Sequence, residues 1–251
     1  MVETVLRRNR RRAVVRMAAA AAEYAAMGWP VCIGAFSPSR SGRSGVAGRS
    51  GLPGRTGRPG RTARPSMAGR PERHDEVLRA CSCDRMGCPA PGAHPVSPTW
   101  QSQATADPGV VGNWWVAQPD ANVILVTGRV FDVLDVPAAA GTVALERMDR
   151  SPAATGPVAL TADDRAFFFV RTRGAPADED EWWSCHLDCE PDSFAPVAGL
   201  RWHCRDSYVL APERGGRGPA AQWIRDPREH PLPDGLRLLE FLADACEEVL
   251  G

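Results

Sequence analysis

The chain has 251 residues, 43% of them hydrophobic, and its 30 basic and 30 acidic side chains give a formal net charge of zero. This length and composition indicate a globular protein with a sizeable core. No apolar run approaches the ~20 residues that span a bilayer, so the sequence argues against a membrane protein and predicts a cytoplasmic one. The charge is divided unevenly: residues 1–73 hold 15 Arg and three Glu, and residues 74–251 hold 15 Arg and 27 acids. The net charge is therefore +12 on the first part and −12 on the second.

The first part of the chain combines basic segments with one helix and one strand. Residues 1–16 form a basic arm, Val14 to Met27 predict a helix that Gly28 ends, and Trp29 to Phe36 predict a buried strand. The tract Ser37 to Arg73 is rich in Gly, Arg, Pro and Ser, so it cannot bury enough apolar surface to fold and is predicted to be disordered. Two interpretations stay open: an arm that attracts DNA or RNA, or an insertion loop without function.

The remaining elements follow in chain order. Asp107 and Pro108 predict the start of a short helix that carries Trp114 and Trp115. An amphipathic helix is predicted from the cap Asp234 to the end of the chain. The predicted strands, of which the first two are adjacent around a turn, are Asn122 to Gly128, Val130 to Val136, Arg165 to Thr172 and Asp206 to Pro212. This order predicts one α/β or α+β domain over residues 17–251, with a mixed sheet and an insertion at 37–73.

Two groups of Cys and His have the composition of metal sites. Cys81, Cys83, Cys88 and His94 follow a C-x-C-x4-C-x5-H pattern in a short polar loop, which predicts a closed structural zinc site. The alternative is a loop of reduced thiols. For the second group the sequence leaves metal binding open, and adjacent residues, which rarely reach the same ion, count against it. Its members are Cys185, His186, Cys189, His203 and Cys204.

The segment WQSQATADPGVVGNWWVAQPDANVILVTG, residues 100–128, resembles the bifunctional DNA primase/polymerase (prim-pol) family of the archaeo-eukaryotic primase superfamily. The shared features are a Trp, an Ala-Thr-x-Asp-Pro cluster, a helix with paired Trp, Pro-Asp-Ala-Asn, and an apolar strand ending in Thr-Gly. YAAMGWPV resembles the opening helix and strand of the family, and CSCDRMGCPAPGAHP resembles its Cys-rich segment. The resemblance implies a primase-superfamily fold, an RRM-like sheet with a smaller α/β unit.

The first catalytic motif of the family is Asp-x-Asp on an apolar strand, and the resemblance places it at Asp135 and Pro137. Residues i and i+2 of a strand share a face, so two such acids can hold divalent metals together. Pro137 offers no ligand atom. Asp132 lies three residues from Asp135, so it points to the opposite face unless a bulge intervenes.

The other two motifs are altered as well. The second is a Gly-x-His that contacts the nucleotide, and the resemblance puts Ala166 at the His, and Asp163 and Asp164 at the glycines. The third is an acid before a Tyr-Val-x-Ala-Pro strand, and the matching residue is Arg201, with Asp206 nearby. The motifs therefore retain one acid of the expected set.

The basic residues after the third motif allow two interpretations. Arg201, Arg205, Arg214 and Arg217 form either a nucleic-acid-binding groove or an ordinary solvated face. The net negative charge of residues 74–251 disfavours a phosphate backbone unless such a groove overrides it.

These observations predict a catalytically degenerate prim-pol relative that binds nucleic acid or a replication-associated protein. Two alternatives remain. One is an active DNA primase/polymerase that uses Asp132, Asp135 and Asp206 with Mg²⁺ or Mn²⁺, and the other is a zinc-stabilised protein-interaction module. Whether the protein is an enzyme is left open by the sequence.

Overall fold

The computed structural model describes residues 17–36, 81–83, 85, 87–151, 155–172, 197–212 and 221–251. The predicted arm at 1–16 and the tract at 37–73 lie outside these residues. So do Arg214 and Arg217, and so do Cys185, His186 and Cys189 of the second Cys/His group.

The described residues form helices and strands in an irregular order. The helices are α1 (17–26), α2 (Trp100–Gln103), α3 (Pro108–Ala117), α4 (Ala138–Asp149) and α5 (Gly235–Leu250). The strands are β1 (Val31–Gly34), β2 (Asn122–Val126), β3 (Phe131–Pro137), β4 (Val158–Leu160), β5 (Arg165–Arg171), β6 (Arg201–His203), β7 (Tyr208–Leu210) and β8 (Gln222–Arg225). Among these helices, none is both long and apolar enough to cross a membrane.

The strands form two sheets. The smaller has the order β1-β2-β7 and the larger the order β6-β3-β5-β4-β8, and each pair of neighbouring strands is antiparallel. The α+β class is confirmed, and two antiparallel sheets stand where a mixed sheet was expected. The predicted adjacency of β2 and β3 is wrong, because the two strands belong to different sheets. Between them Gly128 has φ +80°, and a Cβ atom there would lie 2.3 Å from Arg205 Cα, so only glycine fits this crossing.

Three apolar clusters hold the layers together. The first takes residues from both sheets and from α1 and α3, and its centre is Trp29, whose ring lies 4.4 Å from Phe131 and 5.5 Å from Phe169. The second lies between the larger sheet and helices α4 and α5. The third covers the other face of the smaller sheet, where Trp100 of α2 packs. The larger sheet thus has one face on the helices and one face directed toward the smaller sheet.

The capping and terminating residues recognised in the sequence predicted these helix ends correctly. Asp107 accepts hydrogen bonds from Gly109 N and Val110 N at the start of α3, and Asp234 accepts one from Leu236 N at the start of α5. Gly28, with φ +76°, ends α1 as predicted. Five elements have no counterpart in the sequence prediction, namely the helices α2 and α4 and the short strands β4, β6 and β8.

Candidate functional site

Strand β3 lies at the centre of the candidate site. It pairs with β5 along seven consecutive residues and with β6 along three, without a bulge. Val133 belongs to the cluster between the sheets and Leu134 to the cluster against the helices, so alternate residues face opposite sides. Asp135 therefore shares the face of Val133, and Asp132 shares that of Leu134. The predicted separation of the two acids is confirmed.

The Asp135 carboxylate is buried and held by two basic side chains. It is 4% exposed, and its Oδ1 atom accepts a hydrogen bond from Arg165 Nε at 2.6 Å. Its Oδ2 atom lies 3.3 Å from Nε2 of His203. Arg165 Nη2 also donates to the carbonyl oxygens of Asp135, at 3.1 Å, and of Gly199, at 2.8 Å. The guanidinium is thus fixed by three acceptors, two of which belong to Asp135.

The residue aligned with the second motif does not face this site. Ala166 pairs with Val136 and packs against α4, where a Cβ atom on Gly141 would lie 2.5 Å from Ala166 Cβ. Its two neighbours, Arg165 and Phe167, lie on the face of Asp135. On this strand, a side chain that reaches a ligand beside Asp135 would come from residue 165 or 167.

The residues of the third motif are divided between the site and a turn. Arg201 is the direct cross-strand neighbour of Asp135. Asp206 lies in the turn after β6 with φ +60°, is 65% exposed, and forms an ion pair of 3.7 Å with Arg205. Asp132, Asp135 and Asp206 therefore do not converge: across the described ranges, the only group of three or more His, Cys, Asp or Glu spaced to hold a metal ion contains none of them.

Two residues of the site, Arg165 and His203, were not assigned to it from the sequence. Arg165 begins an apolar strand and carries no motif of its own. His203 was placed in the second Cys/His group, yet its ring faces Asp135, and the next residue, Cys204, is buried in the cluster against the helices. The i, i+2 spacing of Arg201 and His203 is a signal that could have identified the histidine, because it puts both side chains on one face.

The predicted basic groove is described only in part. Arg201 is half-buried on the face of Asp135, whereas Arg205 is exposed in the turn. Arg214 and Arg217 lie outside the described residues, so the four predicted residues are not brought together here.

The first Cys/His group forms a compact cluster, which we call the Cys loop (residues 81–94). One ligand atom from each of Cys81, Cys83, Cys88 and His94 lies within 4.8 Å of all the others. His94 Nε2 is 3.3 Å from Cys81 Sγ and 3.4 Å from Cys88 Sγ. A tetrahedral zinc ion with three sulfur ligands and one nitrogen ligand needs separations of about 3.5–3.8 Å, so the residues present fit this metal.

Hydrogen bonds prepare the ligands of the Cys loop. The Nδ1 atom of His94 lies 2.8 Å from the carbonyl oxygen of Pro95, which leaves Nε2 directed at the sulfur atoms. Burial opposes ionisation of Cys81. Hydrogen bonds from the backbone N–H groups of Cys83 and Gly92, and contacts with the side chains of His94 and Cys83, outweigh this effect and lower the pKa of the Cys81 thiol to about 6. A metal-ligating thiolate is therefore favoured at neutral pH.

The Cys loop is attached to the smaller sheet. The N–H of Ala35 donates to the carbonyl of His94 at 2.8 Å, and the Asn122 amide donates to the carbonyl of Gly92 at 2.7 Å. Phe36 and Ser82 exchange two hydrogen bonds of 2.9 Å, one of them through the Ser82 hydroxyl. A metal ion in the loop would therefore fix the end of β1.

The family model described as bifunctional DNA primase/polymerase, N-terminal (Prim-Pol), matches residues 21–234, a range that holds the Cys loop and all eight strands. A search of curated proteins finds no match.

Proposed function

Since the chain belongs to the bifunctional DNA primase/polymerase family, we propose that it is a cytoplasmic relative that binds nucleic acid without polymerising nucleotides. The surroundings of Asp135 carry this proposal. Its carboxylate contacts Arg165 and His203, and the residue two positions along the strand, where the motif has a second acid, is Pro137. The one acid is thus paired with a guanidinium and in contact with an imidazole.

The residues around Asp135 do not fit a two-metal site. Such a site requires several ligands that reach both ions, and carboxylates usually supply them. Asp132 faces the helices, Asp206 lies in an exposed turn, and Arg165 contacts the oxygen atom that a metal ion would need. Nucleotidyl transfer through Mg²⁺ or Mn²⁺ therefore has no support in these side chains.

The same face has the charge needed to attract phosphate. Arg165, Arg201 and His203 lie around a single carboxylate, and guanidinium groups are well suited to contact phosphate oxygens. We propose that Arg205, Arg214 and Arg217 extend this surface, and that the basic tract at 37–73 adds electrostatic affinity.

The tract at 37–73 also bears on domain organisation. We propose that residues 17–251 form one domain into which this tract is inserted. Two hydrogen bonds between Phe36 and Ser82 support the proposal, because they join the chain before the tract to the chain after it.

A primer-extension and de novo priming assay tests the loss of polymerase activity. We expect no product with Mg²⁺ or Mn²⁺ from the wild-type protein or from Asp135→Ala. Extension by the wild type that disappears in Asp135→Ala would contradict the proposal and favour the active alternative.

Nucleic-acid binding is tested separately, by fluorescence anisotropy of a labelled single-stranded DNA over a range of salt concentrations. We expect Arg201→Ala to weaken binding and to reduce the slope of log K against log salt by about one unit per lost phosphate contact. Arg150→Ala is the matched control, because Arg150 directly follows α4 and its side chain is 76% exposed. Equal affinities for the wild type and Arg201→Ala would remove the site from the interface, and absence of DNA binding would favour a protein partner.

We further propose that the Cys loop binds one structural zinc ion. Cys81, Cys83, Cys88 and His94 would hold it, and four protein ligands leave no position open for catalysis. The bound ion would connect the loop to the end of β1. The same site also supports the alternative role of the protein as a zinc-stabilised interaction module.

Elemental analysis of protein purified without chelator tests the zinc site. We expect one zinc per chain in the wild type and a content near zero in the double variant Cys83→Ser, Cys88→Ser. Cys246→Ala is the control, because Cys246 is buried in α5 outside the loop. Zinc absent from the wild type, or unchanged in the double variant, would contradict the site.

A further inference from the structure

Three side chains on the face of Asp135 form a continuous chain of hydrogen-bonding contacts. The Ser207 hydroxyl lies 3.1 Å from Nδ1 of His203, and Nε2 of the same ring lies 3.3 Å from Oδ2 of Asp135. One imidazole thus joins a hydroxyl to a buried carboxylate. This is the arrangement in which a histidine can take the proton of a serine while the carboxylate fixes the tautomer of the ring.

The turn that carries Ser207 is held on both sides. The N–H of Thr127 donates to the carbonyl of Ser207 at 3.0 Å, and the Thr127 hydroxyl donates to the carbonyl of Cys204 at 2.5 Å. Gly128 packs directly on the backbone of Arg205. The hydroxyl is therefore presented to His203 by a fixed backbone, and a preorganised nucleophile needs this rigidity.

The contacts of this site leave the hydroxyl and the ring accessible. Ser207 is half-buried, and the His203 side chain is 22% exposed, whereas Asp135 is 4% exposed. The edge of the His203 ring packs near Phe167 at a centroid distance of 6.1 Å, which limits how the ring can turn. A ligand on this face would meet the hydroxyl and the imidazole before the carboxylate.

We propose that Ser207, His203 and Asp135 form a nucleophilic site for phosphate diesters. Ser207 is the nucleophile, His203 the general base, and Asp135 a positioning residue. The substrate class follows from Arg201, which shares the face with His203 two residues away, and from Arg165, because guanidinium groups stabilise the charge of a phosphoryl group in transfer. The inference shares with the proposed function only the assumption that this face binds phosphate.

The reaction balances with these side chains and water. The Ser207 oxygen attacks phosphorus and its proton moves to Nδ1 of His203, a phosphoserine diester forms, and the bond from phosphorus to the leaving alcohol breaks. The alcohol oxygen takes the proton from His203. Water then attacks phosphorus, His203 accepts a proton from that water, and Ser207 recovers its hydrogen as the phosphate monoester leaves. The sum is one diester and one water giving one monoester and one alcohol.

Covalent labelling in the presence of EDTA tests the nucleophile. A fluorophosphonate probe is incubated with the full chain, and the labelled residue is identified by peptide mass spectrometry. We expect labelling of Ser207 that is lost in Ser207→Ala, falls at least about 100-fold in rate in His203→Gln, and is unchanged in Ser102→Ala. Ser102 is a suitable control, because its hydroxyl donates to the carbonyl of Thr99.

Hydrolysis of bis(p-nitrophenyl) phosphate tests the complete reaction. We expect wild-type turnover, none in Ser207→Ala, and a lower kcat with unchanged KM in Asp135→Asn. Variants are compared only when their thermal unfolding matches that of the wild type, and Ser207→Ala alone decides the outcome if Asp135→Asn, at the buried position, does not fold.

No labelling of wild-type Ser207, or equal labelling in a folded His203→Gln protein, would overturn the inference. DNA binding without labelling would reject only this inference, and labelling without DNA binding would reject only the proposed function.

Discussion

Replacing Arg165 by methionine tests whether Asp135 is held by the protein as an ionised carboxylate. The two side chains are 16% and 4% exposed, and their charged atoms are 2.6 Å apart. Methionine keeps much of the length of the side chain but removes the charge and the three hydrogen bonds to Asp135 and Gly199. The variant therefore leaves a buried carboxylate with His203 as its remaining basic neighbour.

The expected loss of stability follows from the burial of the pair. Removing one partner of a buried ion pair costs about 3–5 kcal/mol, because the other charge stays uncompensated. His203 remains 3.3 Å from Asp135, so we expect the lower end of this range, about 3 kcal/mol. For a chain of this size, each kcal/mol lowers Tm by roughly 2–4 °C, which predicts a decrease of about 6–12 °C.

Urea and thermal unfolding measure this effect against two controls. Arg150→Met removes an exposed i,i+4 pair with Glu146, whose atoms are 3.8 Å apart, and should change stability by less than about 0.5 kcal/mol. The double variant Asp135→Leu, Arg165→Met removes both charges and should recover most of the loss.

Two results would refute the reasoning. The first is an Arg165→Met protein within about 0.5 kcal/mol of the wild type, since the pair would then contribute no more than a surface ion pair. The second is a large increase in the Tm of the wild type on addition of Mn²⁺, together with loss of that increase in Asp135→Ala. Such a result would show that a metal ion competes with Arg165 for the carboxylate.

Three further predictions concern the thiols, the insertion and the lost acid. Burial raises the pKa of the Cys32 thiol to about 12, whereas the pKa of Cys81 is about 6. Both thiols are buried, so the difference in alkylation by iodoacetamide at pH 7.5 in EDTA should follow the thiolate fraction, and Cys81 should react faster than Cys32. Below pH 6 the Cys81 rate should fall, and zinc should protect Cys81, as peptide mass spectrometry would show. Deleting residues 37–73 should leave the folded state intact and raise stability by about 1 kcal/mol through the shorter loop, whereas a large decrease in Tm would make the tract part of the fold. Pro137→Asp combined with Arg165→Gln should create Mn²⁺ binding, measured by calorimetry, that Arg165→Gln alone lacks; failure to bind would mean that further ligands are missing.

The sequence predicted those parts of the fold that local chemistry determines. Asp107 and Asp234 were recognisable as helix caps because an Asp side chain bonds the free N–H groups that follow it. The strands β2, β3 and β5 were recognisable as well, because a run of apolar residues is itself a local pattern. Helix α4 was missed because its apolar pattern is weak: it begins with three alanines directly after Pro137 and includes Gly141. Its formation depends on packing against α5 and the larger sheet.

The geometry of the candidate site was predictable from the sequence only where it depends on a single strand. The alternation of β3 was enough to separate Asp132 from Asp135, and it needed no knowledge of neighbouring strands. The contacts of Asp135 with Arg165 and His203 join residues 30 and 68 positions away, so they depend on the order β6-β3-β5. A chain with two sheets offers many such orders, and no periodicity in the sequence selects one.

The differences from the family motifs around Asp135 all make the site less negatively charged. The resemblance aligns two acids of the family motifs with the neutral Pro137 and the cationic Arg201, and Arg165 places a second guanidinium in contact with the Asp135 carboxylate. A site that balances two divalent cations with three carboxylates would become self-repulsive if only the metals were lost. Replacement of acids by neutral and basic residues removes that repulsion, and it leaves a face that attracts anions without requiring a metal. We therefore expect that reversing any one of these differences alone would not restore a metal site.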